Sequence, residues 1–144
     1  MTLTALPQTL TDRIAEKVLE LTNRARARAR VSALRSDAAL AMAARKHSRH
    51  MAQFNFFDHT SPVRGETEVE DRVSLTGGKP GTFSENIYWS RGLSEDRIPA
   101  SIYREWMDSP EHRDAMLGAE NVSVGIGVFR QGAEFWATAV FSDN

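Results

Sequence analysis

Residues 121–142 read NVSVGIGVFRQGAEFWATAVFS, and they decide the architecture. In the first half, Val122, Val124, Ile126 and Val128 fall on one face of a strand, because successive side chains alternate. In the second half, Phe135, Ala137, Ala139 and Phe141 share a face, yet Trp136 and Val140 make the opposite face apolar as well. A strand that is apolar on both sides must be covered on both sides. Gln131-Gly132 is a hairpin-sized connection between the two. The sheet therefore needs a helical layer above and another below.

The upstream sequence supplies those layers. Ile14, Val18 and Leu21 recur at helical spacing, which predicts an amphipathic helix over about 11–29. Ser36 or Asp37 can cap a second helix, whose inner face reads Leu40, Ala44, His47, Met51. His47 on that stripe is expected to be a core histidine bonded to a backbone carbonyl. ETEVEDRVSLTG, residues 66–77, holds a short helix stopped by Gly77-Gly78. FSENIYWS alternates, with Glu85, Ile87 and Trp89 on one face and Asn86 and Tyr88 on the other. Residues from about 99 to 108 resume helical character with Ile102 and Trp106 on one face. Helices early and strands late predict an α+β fold, a three-layer α-β-α sandwich with a central, mainly antiparallel sheet. Residues 1–9 read as a loose tail and 10–144 as one domain, the size one core supports.

Composition narrows the function. A net charge of −1 gives no pull toward nucleic acid or an anionic surface, so no nucleic-acid partner is expected. No apolar run reaches the roughly 20 residues of a membrane span, so the chain is not expected to be transmembrane. There is no cysteine, which removes disulfides, thiolate metal sites and cysteine nucleophiles. Four of the 15 arginines lie in RARARAR, at Arg24, Arg26, Arg28 and Arg30. A two-residue step turns about 200° on a helix, so they fan around the axis and are expected to solvate a helix end.

Three segments bear chemistry. FDHTSP places His59 directly after the aromatic run Phe54-Asn55-Phe56-Phe57, which should anchor the loop in the core. Asp58 is expected to be a turn residue bonded to its own backbone, with orientation of His59 as the alternative role. SENIY places Glu85 on a strand among apolar neighbours. SPEHR reads as a helix start, with Ser109 as N-cap, Pro110 in the first helical position and His112 near the third. The helix dipole disfavours imidazolium there, so His112 should be neutral and able to bind metal or act as a base.

The ordered series VLELTNRAR, LRSDAAL, ARKHSRHM, FDHTSP, SENIYW, REWMDSPEHRDAML, VGIGV and FWATAVF resembles the CAP superfamily (cysteine-rich secretory proteins, antigen 5 and pathogenesis-related 1 proteins) in its short bacterial form. The resemblance runs from about residue 15 to residue 142. It implies an α-β-α sandwich with a cleft lined by two His and two acidic residues. Three of these map onto His59, Glu85 and His112, although Ser84 replaces a usual Gly before Glu85. The fourth departs: the position three residues after Trp106 is Ser109, and Glu105, Asp108 and Glu111 are the nearby acids.

The resemblance and the site chemistry leave two functions open, beside a structural or interaction domain at the cell envelope whose polar cluster only ties loops together. One is an exported module, extracellular or periplasmic, that binds a small lipid-like or peptide ligand or an envelope protein. The other is a metal-assisted hydrolase, peptidase- or esterase-like, with His59 and His112 holding Zn²⁺ or another divalent metal and Glu85 as ligand or base. Ser61 and Ser109 are weaker nucleophile candidates: Ser109 is better read as a cap, and no G-x-S-x-G turn is present.

Overall fold

The computed structural model describes residues 8–144, so residues 1–7 of the expected tail lie outside it. The chain folds as α1 (Leu10–Arg28), β1 (Arg35–Ser36), α2 (Ala38–Phe54), α3 (Val69–Leu75), β2 (Phe83–Arg91), a 3-10 turn (Glu95–Arg97), α4 (Ile98–Asp108), α5 (Pro110–Leu117), β3 (Ser123–Gln131) and β4 (Glu134–Ser142). The sheet order is β1-β3-β4-β2, with β1 parallel to β3 and the other pairs antiparallel. The three-layer α-β-α sandwich with a mainly antiparallel sheet is therefore the observed fold.

The two faces of β4 explain it. Phe135, Ala137, Ala139 and Phe141 pack with Ile14 and Val18 of α1 and Ile98, Ile102 and Trp106 of α4. On the other side Val140 packs with Leu40, Ala43 and Ala44 of α2 and Val73 of α3, and Trp136 packs with Met51 and Ala52 of α2 and Ile87. α2 sits directly on the sheet. A Cβ on Gly125 or Gly127 would collide with the backbone of α2 at Ala41 or Arg45, so only glycine allows the helix this close. The hairpin turns at Gly132-Ala133, one residue later than the sequence suggested, with Gly132 at φ 60°. Val122 lies outside β3 and is exposed.

The inner stripe of α1 runs Ile14, Val18, Thr22, Ala25, Arg26, with Leu21 half-buried. Arg26 corrects the expectation that the arginine run solvates a helix end: it is fully buried. Its guanidinium donates to the carbonyls of Ser32 (2.7 Å), Met116 (2.9 Å), Gly118 (3.0 Å) and Asn121 (3.0 Å). One cation thus ties the end of α1 to the α5–β3 connection. Arg24 pairs with Glu20 on the surface.

Two caps separate position from bonding. Asp37 Oδ1 accepts from Leu40 N at 2.9 Å and caps α2. Ser109 occupies the cap position of α5, but its side chain makes no cap hydrogen bond, which corrects the expected role. Asp37→Ala should therefore cost about 1 kcal/mol and Ser109→Ala under about 0.5 kcal/mol in urea unfolding. Equal costs would contradict this assignment.

Candidate functional site

β2 carries the centre of the site. Strand alternation turns Glu85 toward the α2–α3 layer, where its side chain is only 4% exposed. A carboxylate this deep must be paired. Arg72 Nη2 donates to Glu85 Oε2 at 2.7 Å, and His59 Nδ1 donates to Glu85 Oε1 at 2.8 Å. Arg72 is itself buried, and its Nη1 donates to the carbonyls of Glu66 and Thr67, each at 3.0 Å. The arginine therefore fixes both the carboxylate and the loop that carries His59.

Burial raises the Glu85 pKa, but the hydrogen bond from His59 and the charge and hydrogen bond of Arg72 outweigh it, and the net shift is downward. The same hydrogen bond raises the His59 pKa against a smaller desolvation effect. His59 is 53% exposed at its side chain, and its Nε2 has no hydrogen bond among the described residues. The site thus presents a solvent-facing imidazole whose inner nitrogen is held by a buried anion. In the neutral ring that Nε2 is an acceptor; protonated, it is a donor.

His47 sits behind the pair with no exposure. Its Nε2 donates to Asp58 O at 2.8 Å and lies 3.9 Å from Glu85 Oε1. Desolvation depresses its pKa, so it is the neutral core histidine expected from its stripe. Asp58 Oδ1 accepts from Thr60 N at 2.9 Å, the turn role expected of it. Ser61 is buried, and its Oγ accepts from Val63 N. Its hydroxyl is a turn element. The aromatic run behaves differently from expectation. Phe56 packs half-buried against His47, with ring centroids 5.7 Å apart, while Phe54 and Phe57 are exposed. Asn55 in the left-handed region, at φ 53°, ends α2 and reverses the chain, which leaves one of the three rings facing the core.

His112 lies next to this pair without bonding to it. Asn86 Nδ2 donates to His112 O at 3.0 Å, which ties the first turn of α5 to β2. Desolvation lowers the His112 pKa, and the charge of His59 lowers it further. Its Nδ1 is buried without a hydrogen-bond partner. The neutral state expected from the helix start is thus favoured chiefly by burial. Of the nearby acids, Glu105 and Asp108 line a groove with Leu93, Asp96, Arg97 and Arg104, and Glu111 is exposed.

In this arrangement the Glu85 carboxylate is already engaged and is not free to ligate a divalent cation. No three His, Asp or Glu side chains converge at ligating distance among the described residues. Both Glu85 oxygens and His59 Nδ1 are engaged with each other and with Arg72, whose charge also opposes a dication. Sequence reading missed Arg72, although the signal was present: Val69, Arg72 and Val73 fall at i, i+3 and i+4 and share the inner face of α3.

The sequence model of the cysteine-rich secretory protein (CAP) family matches residues 19–141. The uncharacterized protein YkwD of Bacillus subtilis is 32% identical over 118 residues, 82% of this chain and 43% of that protein. The chain spans less than half the length of the curated relatives it matches. Among solved structures, an extracellular protein containing an SCP domain from Bacillus anthracis superposes with a TM-score of 0.78 at 25% identity, over 96% of this chain and 45% of that one. An outer surface protein of Borrelia burgdorferi shares the fold, with a TM-score of 0.72 at 15% identity over 92% and 93% of the two chains. No helix among the described residues is long and apolar enough to cross a membrane. With the family model covering nearly the whole chain and the sandwich in place, the chain belongs to the CAP family.

Proposed function

We propose that this domain is an exported ligand- or partner-binding module whose recognition group is His59, held by Glu85 and flanked by His112. The observation that carries this reading is the clamp on Glu85. Arg72 and His59 take both carboxylate oxygens, so the anion is spent on orienting an imidazole toward solvent. A presented imidazole binds a polar ligand group without further machinery. Export is supported by the B. anthracis relative, described as extracellular.

The hydrolase alternative needs a nucleophile or an activated water beside that imidazole. The nearby hydroxyl of Ser61 is buried in a turn, and His59 and Arg72 already take both oxygens of Glu85. Mass spectrometry of the purified protein should find a co-purifying lipid or peptide that is lost in His59→Ala. Titration with Zn²⁺ up to about 1 mM should give no heat that depends on His59. Turnover of generic peptide or ester substrates, abolished in Glu85→Gln, would overturn the binding reading in favour of catalysis. A Zn²⁺ heat lost in His59→Ala would overturn the account of the donor set.

A further inference from the structure

β2 is the last strand of the sheet, so one of its edges is unpaired by β-structure. The register shows which backbone groups face outward. Gly92 N donates to Ala133 O and Asp143 N to Thr82 O, which places the hydrogen-bonded pairs with β4 at the even-numbered residues of β2. The odd-numbered residues Glu85, Ile87, Trp89 and Arg91 therefore turn their N–H and C=O groups away from β4. Trp106 Nε1 donates to the Ile87 carbonyl at 3.0 Å and closes the edge at that point. Beyond that point, toward the end of the strand, the outward groups of Trp89 and Arg91 have no hydrogen bond among the described residues.

The side chains around this open stretch are unusual for a surface. Trp89 is 44% exposed and Phe57 is 53% exposed. Both rest on Trp136, with ring centroids 5.9 Å and 6.4 Å away. Glu134 Oε2 accepts from Trp89 Nε1 at 2.9 Å, so the indole is fixed rather than free to fold over the edge. Arg91, at the end of the open stretch, is exposed and forms no ion pair among the described residues.

We propose that the outer edge of β2 at Trp89 and Arg91 docks an extended polypeptide segment, which adds a short strand to the sheet. The segment seats an apolar side chain against Trp89 and an acidic group against Arg91. Alternating donors and acceptors at strand spacing are satisfied by an extended backbone and by no part of a lipid chain. Directly opposed aromatic and β-branched side chains add cross-strand stabilisation. A second copy of this chain fits poorly. Two-fold pairing about Trp89 would set Arg91 opposite Ile87 of the other copy, whose carbonyl Trp106 already occupies. The proposal rests on the binding reading for a peptide as ligand class, but it uses neither His59 nor Glu85.

The test selects a displayed random peptide library on the immobilised protein and measures the selected synthetic peptides by fluorescence polarisation. Arg91→Pro removes an N–H that faces away from β4, so the ladder and the fold survive while the docking donor is lost. Trp89→Ala removes the apolar seat and serves as a second variant should the proline disturb folding. Selected peptides should bind wild type and His59→Ala alike and weaken about tenfold or more in both edge variants. Amide exchange at Trp89 and Arg91 should slow in the complex. Peptides that bind Arg91→Pro and Trp89→Ala as tightly as wild type would overturn the proposal, as would failure to select any peptide. Binding lost in His59→Ala but kept in the edge variants would overturn it while supporting the cleft as the ligand site.

Discussion

Trp106→Ala should lower the free energy of unfolding by about 3–5 kcal/mol in urea denaturation. The residue is 1% exposed and stands at the centre of the main core with Ile102, Tyr88 and Phe135. Truncation removes most of that burial, and the cavity is walled by rigid elements on both sides, α4 and the sheet. It also removes the donor to the Ile87 carbonyl, among the described residues the one outward group of β2 satisfied by a side chain. Trp106→Phe separates the two effects, because it keeps most of the packing and loses the hydrogen bond at about 1 kcal/mol. A cost for Trp106→Ala well under 1 kcal/mol would mean that α4 does not pack on the sheet as described.

Arg26→Met should cost about 3 kcal/mol, because four carbonyls lose their donor while the apolar stem is kept. Water entering the site limits the loss. Arg26→Lys should recover little of it. A single ammonium has three donors on a point charge and cannot span the four acceptors that the planar guanidinium reaches. Wild-type stability in the lysine variant would contradict the clamp.

Both predictions show what could be read from residue order and what could not. The double apolar face of 135–141 was enough to require helices above and below the sheet, since alternation is a local consequence of strand geometry. The pairing of distant Glu85 and His59 was not derivable from spacing. The family resemblance implies a shared cleft, and the fold brings the two into contact. Arg26 and Arg72 escaped because arginine is ordinarily exposed, and only the acceptors waiting in other segments make its burial tolerable. Those acceptors are mostly backbone carbonyls of loops, which leave no trace in the residue types. Ser109 failed in the opposite sense: it has the right residue in the right place, yet no hydrogen bond forms. The expectation that Phe54, Phe56 and Phe57 anchor one loop assumed a direction that the left-handed Asn55 reverses.

The central claim is that Glu85 is an ionised hub that holds His59. The signs of the shifts set where this matters. His59 is raised, so its contribution is fully present below the ordinary 6.5 and is lost as pH rises through its raised value. Glu85 is lowered, so its contribution is present above the ordinary 4.5 and is lost as pH falls through its depressed value. The pair is therefore fully formed between the depressed carboxylate and the raised imidazole. The most direct test is the NMR titration of the His59 ring in wild type and in Glu85→Gln. The account predicts a His59 pKa above 6.5 in the wild type that falls in the variant, where the anion is gone. An unchanged His59 titration would show that Glu85 does not hold this imidazole.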